Sequence, residues 1–129
     1  MKQYVSSAVE RLPIDINAIS GLIASNQSYS GEIPWSPNDK TDPWDHVEAA
    51  MGLVIGGLLS EARMAFEWMA QTQIENGSWY AAYRKGVPED KTQDSNQSSY
   101  IAVGLFHYYL VTKDVVLSLI HISEPTRPY

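Results

Sequence analysis

Apolar positions recur at helical spacing in four stretches of the chain. Ile16, Ile19, Leu22 and Ile23 follow Pro13, a residue suited to a first turn because its missing N–H is not needed there, and predict a first helix. Asp42-Pro43 restarts a helix, with Asp42 as N-cap and Pro43 at the first position. Its buried stripe should be Val47, Ala50, Met51, Val54 and Leu58, and Gly52 and Gly56 imply a close neighbour. Ser60 is positioned to cap a third helix in which Ala62, Ala65, Phe66, Met69 and Gln73 share a face, ended by Asn76-Gly77 in a left-handed cap. A fourth helix is expected from about Ser98 to Thr112, with Tyr100, Val103, Gly104 and His107 on one face. Between helices, 26–41 is rich in Ser, Gly, Pro and Asn and reads as loop, and 79–97 reads as a long polar connection. No segment alternates with period two for long enough to predict a strand.

The pattern repeats. Leu22-Ile23, Gln27, Gly31 and Ile33 match Trp68-Met69, Gln73, Gly77 and Trp79, every pair offset by 46 residues. The helices that follow echo each other as Ala50-Met51-Gly52-Leu53 and Ala102-Val103-Gly104-Leu105, offset by 52. Such periods indicate stacked supersecondary units, here a helical hairpin turning at a Gln–Gly corner. Glutamine there can satisfy exposed backbone groups, glycine supplies a positive φ, and the residue after it covers the turn.

Composition narrows the function classes. With 129 residues, of which 44% are apolar, the chain suffices for one small domain. Nine basic against fifteen acidic residues give a net charge of −6, a poor fit to a phosphate backbone, so no nucleic-acid partner is expected. The absence of cysteine excludes disulfides, thiolate metal sites and a cysteine nucleophile. No apolar run has the length of a membrane span or the form of a signal peptide, so a cytoplasmic setting is expected. The run 117–127, Leu-Ser-Leu-Ile-His-Ile-Ser-Glu-Pro-Thr-Arg, resembles the translation of a sequencing-library transposase adapter. On that reading residues 117–129 are a non-native tail, His121 is set aside, and 1–116 is the N-terminal part of a larger domain.

The segment Trp68-Met69-Ala70-Gln71-Thr72-Gln73-Ile74-Glu75-Asn76-Gly77-Ser78-Trp79 resembles the QW motif of squalene and oxidosqualene cyclases, and more broadly the terpenoid cyclase and protein prenyltransferase superfamily. Gly31-Glu32-Ile33-Pro34-Trp35, the run Asp42-Pro43-Trp44-Asp45-His46-Val47-Glu48-Ala49-Ala50-Met51, Asn96 and Tyr100-Ile101-Ala102 are similar to bacterial proteins of prenyltransferase type. The resemblance implies an all-α, incomplete α/α toroid of helical hairpins. Its inner helices, 43–59 and 98–112, would line a cavity. It implies an isoprenoid or related apolar substrate for the parent protein and an inactive isolated chain. The acidic motifs of prenyl diphosphate enzymes and cyclases are absent, as are a Walker loop, Gly-x-Ser-x-Gly and His-Glu-x-x-His. Because α/α toroids also house glycosidases and lyases, a carbohydrate-active enzyme is the alternative, and a non-catalytic binding scaffold is a third.

Candidate chemistry gathers near the second helix. Asp42, Asp45 and Glu48, spaced by three, lie along one helix face and suit general acid–base work or a hard cation; as N-cap and dipole partners they would be structural. His46 is either a proton carrier or a packed histidine. Trp35, Trp44, Trp79 and Tyr83 suit isoprenoid contact or sugar stacking, unless they plug the turns. Arg84, beside Lys85, offers a diphosphate contact, and Asn96 is an N-cap first and a ligand second. No metal-ligand set is assigned, and cofactor and oligomeric state stay open.

Overall fold

The computed structural model describes residues 13–115. Helix α1 (Ile16–Asn26) is capped by Asp15, whose side chain accepts from the Ala18 N–H. Helix α2 (Pro43–Ile55) starts as the Asp-Pro pair dictates: the Asp42 carboxylate accepts from the Asp45 N–H and Pro43 occupies the first turn. Helix α3 (Leu59–Thr72) begins two residues earlier than a Ser60 cap would place it, with Leu58 as N-cap and no side-chain cap. Strands β1 (Ala82–Arg84) and β2 (Val87–Asp90) follow, then a short helix α4 (Ser95–Ser99) and helix α5 (Ile101–Thr112).

Helix α2 is the centre, packed against α1, α3 and α5. Val47, Ala50, Leu53 and Val54 bury its inner face against Ala62, Ala65, Phe66 and Met69 of α3. Each large apolar side chain removed from water there contributes about 1.5–3 kcal/mol. The glycines in and at the end of α2 and in α5 mark close approaches of neighbouring side chains to the helix backbone. A Cβ on Gly52 would lie 2.9 Å from Ile23 of α1, one on Gly56 2.2 Å from the Ser20 hydroxyl, and one on Gly104 2.3 Å from Val47. Helix α5 buries Ile101, Gly104, Leu105 and Tyr108, leaving Val103 half exposed. Of the expected Tyr100, Val103, Gly104 and His107 face, Gly104 is buried and Val103 is not, because α5 is apolar nearly all round and periodicity alone cannot choose a face.

The all-α, incomplete α/α toroid does not describe this structure. The connection 79–97 contains a two-stranded antiparallel sheet, with Arg84 paired to Val87 and Tyr83 to Pro88. Lys85 and Gly86 form its two-residue turn, both with positive φ (50° and 76°). Strands of three and four residues, one holding Pro88, are too short to give a period-two signal. The described residues therefore form a mixed arrangement, helices with one small sheet. Thr41 and Tyr83 exchange backbone hydrogen bonds at 2.8 Å each way, which ties the loop before α2 to β1. No helix among the described residues is long and apolar enough to cross a membrane. The tail 117–129, the end of the 1–116 span and His121 lie outside the described residues.

Candidate functional site

The two Gln–Gly corners fold as backbone chemistry requires. Gln27 donates its amide hydrogens to the Gly31 carbonyl (3.0 Å) and the Glu61 carbonyl (2.9 Å), and Gln73 donates to the Gly77 carbonyl (2.9 Å). Gly31 and Gly77 hold φ of 94° and 84°. The first corner leads into the loop 34–41 and the start of α2, where the candidate residues converge.

Asp42 has both carboxylate oxygens engaged. Oδ1 accepts from the Asp45 N–H (2.9 Å) and Oδ2 from the Trp35 indole N–H (2.6 Å). Asp45 stands one turn on. Partial burial, followed by the charge of Asp42, a hydrogen bond between the two carboxyls and the charge of Glu48, raises its pKa above the usual carboxylate range. A carboxyl that holds its proton more tightly than usual, one helix turn from a second carboxyl, is an arrangement acid–base chemistry uses. Glu48 accepts from the Trp44 indole N–H (2.7 Å). Trp44 in turn stacks on Tyr100, ring centroids 4.5 Å apart and planes within 6°. Partial desolvation and the Glu48 charge push the Tyr100 hydroxyl up.

His46 lies one residue from Asp45 and faces the other way. It is fully buried; Nδ1 accepts from the Ile33 N–H (3.1 Å) and Nε2 lies 2.8 Å from the Ala65 carbonyl, so the ring is the neutral Nε2–H tautomer. Burial drives its pKa down to about 4. Both nitrogens serve the backbone, and none is left to carry a proton to a ligand.

Two open grooves meet at this point. One, about 490 Å³, is of mixed polarity and is lined by Lys40, Asp42, Trp44, Ala82, Asp90 and Gln97. The other, about 470 Å³, is largely apolar and is lined by Leu22, Ile23, Ile33, Pro34, Pro37 and Ala49. Trp35 and Asp45 line both. Of the expected site residues, Trp35, Asp42, Trp44 and Asp45 come together here, with Glu48 beside Trp44. Trp79 and Tyr83 do not: each is only 2% exposed. Trp79 donates from its indole to the Met69 carbonyl, and the Tyr83 hydroxyl accepts from the Tyr80 N–H, its pKa raised by burial. Arg84 pairs with Glu89 and donates to the Asn38 carbonyl. Asn96 is exposed inside α4, whose cap is Asp94, so its neighbour Gln97 reaches the groove instead. Lys40, Asp90 and Gln97 carry no signal for the site in the sequence, and Tyr100 reads there as part of a helix face; the fold brings Asp90, Gln97 and Tyr100 to α2. Among the described residues no cluster of three His, Asp or Glu is arranged to hold a metal ion.

No protein-family profile matches the chain. Over 92 residues, 71% of its length, it is 50% identical to MMP endo-(1,4)-3-O-methyl-alpha-D-mannosidase of Mycolicibacterium hassiacum, and it spans 26% of that protein's length. This similarity overturns the resemblance to terpenoid cyclases and prenyltransferases. The Gln–Gly–Trp corner that carried it satisfies backbone groups at a helix end, which any helical hairpin needs, so the corner specifies no chemistry. An isoprenoid substrate loses its support with it.

Proposed function

We propose that the chain is part of a glycoside hydrolase acting within an α-mannoside chain, and that Asp42 and Asp45 are its polar centre. The observation that carries this is the carboxyl pair at the start of α2, in a chain half identical over most of its length to a mannosidase. Asp45, holding its proton above the usual carboxylate range, serves as general acid toward the glycosidic oxygen. Asp42, fixed by the Trp35 indole and the Asp45 N–H, faces the sugar ring as it becomes cationic, and water then bonds to the anomeric carbon and returns a proton to the Asp45 carboxylate. The substrate crosses Asp45 from one groove to the other, which is what cleavage inside a sugar chain needs. Trp35 and the Trp44–Tyr100 stack offer exposed aromatic faces to sugar rings. Glu48 orients Trp44, and His46 acts by positioning, because it clamps Ile33 and Ala65 around α2.

The test is hydrolysis of α-(1→4)-linked 3-O-methylmannose oligosaccharides by the full-length protein and its Asp45→Asn variant. The expected loss in kcat is about 10²–10⁴-fold, with the alkaline limb of the pH profile abolished. Unchanged turnover by the variant would remove Asp45 from the chemistry. Failure of the wild-type protein to cleave any α-mannoside would remove the hydrolase reading.

A further inference from the structure

Among the described residues, three buried side-chain atoms have no hydrogen-bond partner: Asn26 Oδ1, Gln97 Oε1 and His107 Nδ1. Gln97 is the one on the groove of mixed polarity that holds Asp42, Trp44 and Asp45. Asn26 borders the other groove and is half committed, its Nδ2 donating to the Pro34 carbonyl.

The other polar groups on the mixed groove are occupied. Asp42 accepts from the Trp35 indole and the Asp45 N–H, and its carboxyl shares a hydrogen bond with that of Asp45. Trp44 donates to Glu48, Asp90 accepts from the Thr92 N–H (2.9 Å), and the Lys40 ammonium sits 4.2 Å from the centre of the Trp35 ring. Gln97 is placed without being used. Its backbone N–H is fixed by the Asp94 cap (3.0 Å), yet its side-chain amide bonds to nothing among the described residues. The same short helix ends at Tyr100, whose ring stacks on Trp44, so one segment brings both the amide and the ring to the groove wall.

An amide kept at that position with neither end paired contributes nothing to the fold. Its oxygen costs the folded chain the loss of water, which a ligand hydroxyl donating to it recovers. The last torsion of a glutamine is soft and roughly two-fold, so either end of the amide can turn to the groove. The amide offers an acceptor and a donor side by side. That matches two adjacent hydroxyls of a sugar ring, one donating to Oε1 and the next accepting from Nε2.

We propose that Gln97 is a substrate-binding residue, its amide gripping two neighbouring hydroxyls of the sugar unit that lies in the mixed groove beside Asp42 and Asp45. The inference rests on the glycosidase reading above and adds to it the group that seats the sugar against the acid.

The experiment uses the full-length protein and its Gln97→Met variant, which keeps the length of the side chain and removes both ends of the amide. Two measurements are made: hydrolysis of α-(1→4)-mannotetraose, and calorimetric titration with its thio-linked analogue, which is not cut. The variant is expected to show a KM and a Kd raised about tenfold, with kcat within about twofold. Its Tm is expected to be unchanged or higher, because an unpaired polar group has been removed. An unchanged Kd would overturn the assignment. So would a Tm that falls together with the affinity, since the amide would then belong to the fold. Weakened binding of the thio-linked sugar in a protein that cleaves no α-mannoside would sink the hydrolase reading and keep the grip at Gln97. Unchanged binding in a protein that does cleave would sink the grip alone.

Discussion

The two Gln–Gly corners share a sequence pattern and differ in what fastens them. The first is knitted into its neighbours through buried backbone. Gln27 reaches the Glu61 carbonyl of α3, Ile33 gives its N–H to His46 of α2, and Gly31 sits so close to α3 that a Cβ would lie 2.1 Å from the Met64 carbonyl oxygen. The second is closed largely by its own side chains. Asn76 accepts from the Ser78 N–H and hydroxyl and donates to Gln93, and Trp79 returns its indole to Met69 of the helix it has just left. The first corner thus joins three helices, and the second closes the end of α3 while the Trp79 N–H reaches the Ser98 hydroxyl of α4. The corner that joins helices is the one that delivers Trp35 and Asp42 to the site.

Glycine substitution tests this contrast most severely. Gly31→Ala adds a collision with backbone to the cost of a positive φ and is expected to destabilise the full-length protein by about 3 kcal/mol or more. Gly77→Ala carries the left-handed cost, about 1–2 kcal/mol. Urea unfolding of both variants measures the gap, and equal losses would erase the distinction drawn between the corners.

Acid should strike the first corner next. His46 is depressed to about 4 in the folded protein from an ordinary 6.5, so the unfolded chain takes the proton first as pH falls. The stability held by the neutral ring is complete above pH 6.5 and is lost progressively down to about pH 4, some 3 kcal/mol in all. Asp45, raised in the fold, works in the opposite sense as it gains its proton, so the net acid loss is smaller than the histidine alone would give. His46→Ala should flatten the histidine part of this pH dependence. It should also cost on the order of 3 kcal/mol at neutral pH, because the Ile33 N–H and Ala65 carbonyl are left buried without the ring. A wild-type stability that does not fall between pH 6.5 and 4 would contradict the buried neutral imidazole. The smallest effect belongs to the second half of the chain: Arg84→Ala, at an exposed pair with Glu89, should leave Tm within about 1 °C.

Where local chemistry decides, the sequence is readable. Asp42-Pro43 sets the start of α2, the spacing of Ala62, Ala65, Phe66 and Met69 sets the buried face of α3, and the Gln–Gly pairs set the corners. Where tertiary contact decides, it is not. The hairpin turn uses Lys85 before Gly86, where Asn or Asp would have announced it, and its strands offer no apolar alternation. At the connection into α4, an N-cap at Asn96 is expected from the sequence, whereas Asp94 caps the helix and Gln97 lines the groove. The Asp42–Asp45 proximity was visible as a spacing of three, but the separation of roles between Asp45 and His46 required knowing which side of α2 is covered. The family resemblance failed for a related reason: a hydrogen-bonded corner is a solution to geometry, common to unrelated chemistries.

Helix α2 bears the carboxyl pair at its first turn and is clasped farther along by Ile23 and Ser20 on one flank and by α5 at Val47 on another, with side chains close against Gly52, Gly56 and Gly104. An axle seated that closely can neither slide nor rotate by part of a turn. Any reshaping of the two grooves therefore falls to the ribbon of chain from 34 to 41 and to the hairpin bonded to it at Thr41 and Tyr83, while Asp42 and Asp45 stay where they are.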